Sequence, residues 1–285
     1  MTFFIPRTLH CAKKALVSLA LLLTLSSPAM AAEPDVLRFG IYPFANAVTI
    51  QKKISPLMAW LSEKLARPVR IVIAPNYITH IRRMGEEKVD LAYAGPSPYV
   101  KAHDRFQTIE LLAAVHLKSQ SNDRMVIITH ENSAVRKLED LHGKIFAFGD
   151  HQSYGSHFLP RFVLAEHGIT LARLLAYDYV MSHDNVALSV LHRDFDAGGL
   201  REDVFRHFSD RPLRVLAGPF PMPPHVIVCK KTLDTALKQK IQSLLLALDK
   251  PKIMRPFHPD MEGFVAVRDR DFSQTRRVLA AIEGR

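Results

Sequence analysis

The sequence predicts an α/β chain folded as two lobes, each a mostly parallel sheet flanked by helices, and three observations predict it. Short apolar runs alternate with segments whose apolar residues recur at helical spacing, the pattern of strand–helix–strand units. The alternation halts at a polar SQSNDR stretch (119–124) and then starts over. The C-terminal segment offers no strand partners of its own and is expected to pack back onto the first unit. The expected boundaries are residues 32–123 and 225–285 for the first lobe and 124–224 for the second, joined by crossing segments near Asp123 and Pro224.

The elements follow in order. VLRFGIY (36–42) reads as a buried strand, and Ile50, Ile54, Leu57, Leu61 and Leu65 mark one face of a helix. VRIVIAP returns as a strand, a short helix passes through Ile81 and Met84, and VDLAYAG ends at Gly95-Pro96 with a helix beginning near Ser97. After ELLAAVHLK and the polar stretch come RMVIITH as a strand, KLEDLHG as a short helix and KIFAFG as a strand. TLARLLAYDYV, a helix from about His183 to Leu191, and FDAGGL as a strand complete the second unit. Past PLRVLAG and the proline-rich GPFPMPPH lie a strand HVIVCKK, a helix carrying Leu237, Ile241, Leu244 and Leu248, and a last helix from about Asp271 to Ile282.

The N-terminus reads as an export signal. Arg7, Lys13 and Lys14 precede an apolar run from Ala15 to Leu25, and Ala29-Met30-Ala31 supplies a small-x-small cleavage site, so cleavage is expected after about Ala31. The run is too short to span a bilayer. Removing the leader lowers the formal charge from +10 to +7 by taking away those three cations. The remaining Lys and Arg are scattered rather than clustered, which argues against a nucleic-acid partner. Only Cys229 survives cleavage, so no intramolecular disulfide is expected and a conventional apolar core must supply the stability.

FGDHQSYGSHFLP (148–160) carries the strongest functional signal. Ligands of open parallel sheets bind outside the carboxyl ends of the strands, where helix N-termini present unpaired N–H groups to anions. Ser153, Tyr154 and Ser156 would add hydroxyl donors there, and Gly155 lets backbone come close to a ligand. YAGPSPY and MSHDN are similar starts, but Ser97 and Ser182 read first as helix caps, since one hydroxyl is all a cap needs.

The ordered series FGIYP, IAPNY, KVDLAYAGPSPY, LEDLHGKIFAFGDHQS, SHDNVALSVL and DFDAGG resembles the periplasmic solute-binding proteins of phosphate, phosphite and phosphonate ABC transporters, over essentially the whole mature chain. The resemblance implies a type II-like periplasmic binding protein that captures a small oxyanion between its lobes and delivers it to an ABC permease, without catalysis or a cofactor, as a monomer. It implies a ligand set of Tyr42, Tyr77, Ser97, Ser153, Tyr154, Gly155, Ser156 and His183, with Asn76-Tyr77 matching the family's Asp/Asn-Tyr. Tyr154 stands where the family's phosphonate grip has Thr, and Gly155-Ser156 inverts its Ser-Gly order. Family members that bind aminoalkylphosphonates use a carboxylate in the return segment, and GPFPMPPH has none; Asp203 is expected to be solvated beside Glu202. These departures point to a compact anion without an amine: phosphate, phosphite, a small alkylphosphonate or an arsenic oxyanion.

Other classes carry weaker signals. A protein of the same fold could present its ligand to a sensor kinase, and the sequence does not separate that role from transport. His151, His157, His183 and His192 suggest a metal, yet no tight ligand motif accompanies them. Ser153 with His183 is the sole nucleophile–base candidate, and no nucleophile elbow surrounds it.

Overall fold

The computed structural model describes residues 35–118 and 123–284, so the leader and its cleavage site lie outside the described residues. The chain runs β1 (Leu37–Ile41), α1 (Ala47–Leu65), β2 (Val69–Ile73), α2 (Tyr77–Gly85), β3 (Leu91–Ala94), α3 (Pro96–Phe106) and β4 (Ile109–Leu117). It continues through β5 (Arg124–His130), β6 (Ile145–Phe148), a π-helical turn (Tyr154–Phe158), α4 (Leu159–Glu166), β7 (Ala176–Tyr179), α5 (His183–Leu191), β8 (Ala197–Arg201), α6 (Glu202–Arg206) and β9 (Leu213–Pro221). It closes with β10 (Val226–Lys230), α7 (Thr235–Leu246), α8 (Pro251–Phe257), β11 (Met261–Val265) and α9 (Ser273–Glu283).

Two sheets result. The first has the order β11-β4-β10-β3-β1-β2 and the second β7-β6-β8-β5-β9. Each has a parallel core, β2-β1-β3 in one and β7-β6-β8 in the other, with antiparallel strands added beside it. The sheets are therefore mixed rather than mostly parallel. The cause is the connectivity: β5 and β10 enter after a passage from the other sheet instead of through a crossover helix, so they run against their neighbours. Asp123, just before β5, and Met222, just after β9, lie side by side, the Met222 N–H donating to the Asp123 carbonyl at 2.8 Å.

The helices form where the apolar spacing places them. Asn46 caps α1 by accepting from the Thr49 N–H, and Ile50, Ile54, Leu57, Leu61 and Leu65 are buried along its inner face. The C-terminal segment departs from expectation twice. MEGFV forms β11 and pairs with β4, Phe264 opposite Val115, so the segment does have a strand partner. Gly263 sits at the irregular register of that pair with φ 156, which interrupts the apolar alternation that would have marked a strand. In addition, α9 lies against α3 and also against α4 and the π-turn of the second sheet, not against the first unit alone. On β10, Cys229 is buried, and burial pushes its thiol up to about 12.

Candidate functional site

A cavity of about 800 Å³ opens between the sheets, outside the carboxyl ends of β1, β3, β6 and β8. Tyr42, Tyr77 and Tyr93 line it from the first sheet, and Ser153, Gly155, His183 and Arg201 from the second.

The first wall is aromatic. The Tyr42 ring lies 4.5 Å from that of Tyr77 and 5.9 Å from that of Tyr93, centroid to centroid, the latter nearly parallel. Burial raises all three phenols above their ordinary range, so each stays neutral and keeps a proton to donate. Asn76 fixes Tyr77 at the first position of α2 by accepting from the Thr79 N–H at 2.8 Å. The Tyr42 hydroxyl bonds Nε2 of His225 at 2.9 Å, and Nδ1 of His225 bonds Asp123. A Cβ at Gly95 would come within 3.2 Å of that imidazole, so the glycine leaves room for the pair.

The second wall is built on the π-turn. Ser153 caps it, its hydroxyl accepting from the Ser156 N–H at 3.2 Å while also contacting the Tyr77 phenol from the other sheet. Gly155 lets the turn pack closely on Met222, whose sulfur would have to move from a Cβ placed 2.9 Å away. His183 opens α5 behind the Ser182 cap and accepts the Arg201 N–H on Nδ1 at 3.1 Å. Burial, assisted by the nearby guanidinium, lowers it to about 3, so it is neutral with its proton on Nε2.

Arg201, at the carboxyl end of β8, anchors a buried ion cluster. Its Nε and Nη2 each donate to Asp203 at 2.8 Å, and Nη2 also lies 3.2 Å from Asp123. Asp203 takes a further bond from His258 at 3.2 Å. Burial alone would raise both carboxyls, but Arg201, with His225 at Asp123 and His258 at Asp203, holds them well below the usual carboxylate range. Asp150, which lines the cavity with Asp184 and Asp203, behaves differently: burial raises it, although it accepts the Gln152 N–H at 2.7 Å.

Of the residues expected from sequence, Tyr42, Tyr77, Ser153, Tyr154, Gly155 and His183 line the cavity. Tyr154 does so without offering its hydroxyl, which lies beside that of Thr275 on α9 with no well-formed hydrogen bond between them. Ser97 and Ser156 are not in the lining. Ser97 does not cap α3 either, since Gly95 occupies that position; its hydroxyl donates to the Gln152 carbonyl at 2.6 Å, tying α3 to the second sheet. The Ser156 hydroxyl is turned beneath Gly149 and has no partner among the described residues. Asp203 is not freely solvated but half-buried against Arg201. Arg201, Asp123, Asp150, Tyr93, His225 and His258 escaped the sequence reading, although Arg201 ends a recognised strand, where the carboxyl-end rule would have found it. Among the described residues no group of three or more His, Cys, Asp or Glu is arranged to hold a metal; His151 instead stacks on Tyr179 at 3.5 Å.

Two mixed sheets with a donor-lined cavity between them have the architecture of a periplasmic binding protein. Residues 39–272 match the family described as ABC transporter, phosphonate, periplasmic substrate-binding protein, and the chain belongs to that family. It is 27% identical over 251 residues to the phosphonates-binding periplasmic protein of Escherichia coli, covering 82% of this chain and 73% of that one. It is 25% identical over 203 residues to the probable ABC transporter phosphite binding protein PhnD1 of Prochlorococcus marinus, covering 68% of each. The structure of PhnD1 from Prochlorococcus marinus in complex with methylphosphonate shares the fold, with a TM-score of 0.79 at 20% identity over 88% of this chain and 99% of that one.

Proposed function

We propose that this substrate-binding protein captures a small, amine-free oxyanion of the phosphonate or phosphite class between its lobes and hands it to an ABC permease. The observation that carries the reading is the opposition of neutral tyrosine and histidine donors, Ser153 and a guanidinium across one cavity, a set made of proton donors. A ligand amine would need an unengaged carboxylate. Asp203 is taken by Arg201 and His258, Asp123 behind it by Arg201 and His225, and Asp150 accepts the Gln152 N–H, which leaves Asp184, exposed in the first turn of α5, as the one lining carboxylate without a partner among the described residues. The cavity of about 800 Å³ exceeds a bare oxyanion, leaving space for a short organic substituent or bridging water. PhnD1 of Prochlorococcus marinus, named for phosphite and solved with methylphosphonate, supports the same class. Closure of the lobes about the paired passages at Asp123 and Met222 supplies the signal the permease reads, because the ligand touches both walls only when they meet.

A thermal-shift panel on the mature protein tests this. Methylphosphonate or phosphite should raise the melting temperature more than 2-aminoethylphosphonate. A larger shift with the aminophosphonate, or shifts with divalent metals alone, would overturn the reading.

A further inference from the structure

Arg201 is a side chain with unfinished hydrogen bonding. A guanidinium carries five N–H groups. Nε spends its one on Asp203, and Nη2 spends one of its two on Asp203 while lying 3.2 Å from Asp123 as an ion pair. The two on Nη1 have no partner among the described residues, although the side chain is only 15% exposed and borders the cavity. Unpaired N–H groups on a buried cation are costly unless a ligand or water completes them. The guanidinium also sits close enough to Tyr42, Tyr77, Tyr93 and His183 for its charge to act on all four. Arg201 and the three tyrosines line the same cavity from opposite sheets.

We infer that Arg201 binds the ligand directly, its Nη1 donating two N–H groups to the bound oxyanion while Asp203 and Asp123 fix the plane of the guanidinium. The inference rests on the oxyanion reading above and assigns the residue that decides it. Bidentate Asp203 on the Nε–Nη2 edge removes the freedom of the arginine head, so the remaining donors are already aimed. Two carboxylates beside an anion site are tolerable because His225 and His258 share their outer oxygens. Since the aspartates offset the net charge, recognition depends on the direction of the N–H groups, and a lysine ammonium cannot reproduce it.

Isothermal titration of methylphosphonate, phosphite, phosphate and arsenite into wild type, Arg201→Lys and the double variant Arg201→Gln/Asp203→Asn provides the test. The double variant removes one positive and one negative charge together, so Asp203 is not stranded and Asp123, which loses Arg201, keeps His225. Affinity for the best wild-type ligand should fall about 30-fold or more in either folded variant, the loss of charge-assisted hydrogen bonds. In wild type, arginine-selective 15N spectra should show one guanidinium whose Nη protons shift on saturation with that ligand. Wild-type affinity in a folded variant, or no guanidinium shift, overturns the role of Arg201 and leaves the oxyanion reading standing. No binding of any of the four anions by wild type overturns both.

Discussion

Burial lowers His80 to about 4, His157 to about 4 and His183 to about 3, and the first two also bond backbone carbonyls, Tyr93 and His151 respectively. In the unfolded chain each would titrate near 6.5. Between these values the unfolded state binds protons that the folded state refuses, so stability is full above about pH 6.5 and falls as pH drops toward 4. Each histidine contributes a slope of up to about 1.4 kcal/mol per pH unit in that window. Asp150, whose carboxyl is raised, works in the opposite direction at the acid end, while Asp123 and Asp203 lose their contribution only below it. Urea melts at pH 7.5, 5.5 and 4.5 should show this decline, and His183→Gln should flatten it; equal stability at all three values would show that these rings are solvated. Single residues were partly legible in the sequence. His183 and Tyr77 stand at helix starts that their neighbours announce, whereas Asp203 reads as one of a pair of surface acids until the fold brings Arg201, His258 and Asp203 together.

Turns and helices were more legible than strands at the C-terminus. KIFAFG ending at Gly149 and the hydroxyl-rich run after it located a helix start, because a strand that stops at a glycine before a capping serine has few other readings, but not that its first turn is π-helical. β11 was hidden, since five residues with a glycine at the bulge carry too little alternation. Within the π-turn, capping and ligand binding are compatible in one residue: the Ser153 hydroxyl accepts from Ser156 with a lone pair and still has a proton to give. Ser153→Ala should therefore lower unfolding free energy by roughly 1 kcal/mol and also weaken methylphosphonate or phosphite binding about ten- to hundredfold. Denaturant melts and calorimetric titration on the same samples separate the two effects, and an altered melt with wild-type affinity would reduce Ser153 to a cap.

Across the molecule, Lys101 on α3 joins parts that the sequence separates widely. Its ammonium bonds Gln152 of the second half at 2.5 Å and Glu283 of α9 at 2.6 Å, and lies 4.5 Å above the Phe158 ring. At 17% exposure this contact is shielded enough to outweigh a typical surface ion pair. With the Ser97 bond to Gln152, it links the two halves directly, so on the proposed closure it favours the closed arrangement. Lys101→Met should increase the radius of gyration of the ligand-free protein in solution scattering and weaken binding severalfold, with ligand restoring the smaller radius. An unchanged radius in the variant would mean that the lobes close without this contact. The periodic spacing announced both sheets, but no local pattern in the sequence pairs residue 101 with 152 or 283.

The burial of Cys229 within β10 has a practical reach. A thiol held near 12 in a strand interior is a poor nucleophile at neutral pH, so maleimides and disulfide reagents will pass it by. Ile78, exposed and adjacent to Tyr77, borders the region that ligand must alter, and a cysteine placed there would be the most reactive thiol among residues 35–118 and 123–284. A dye attached at that point would turn occupancy of the cavity into a change of colour or brightness, giving an optical readout for screening anions without radiolabels or calorimetry.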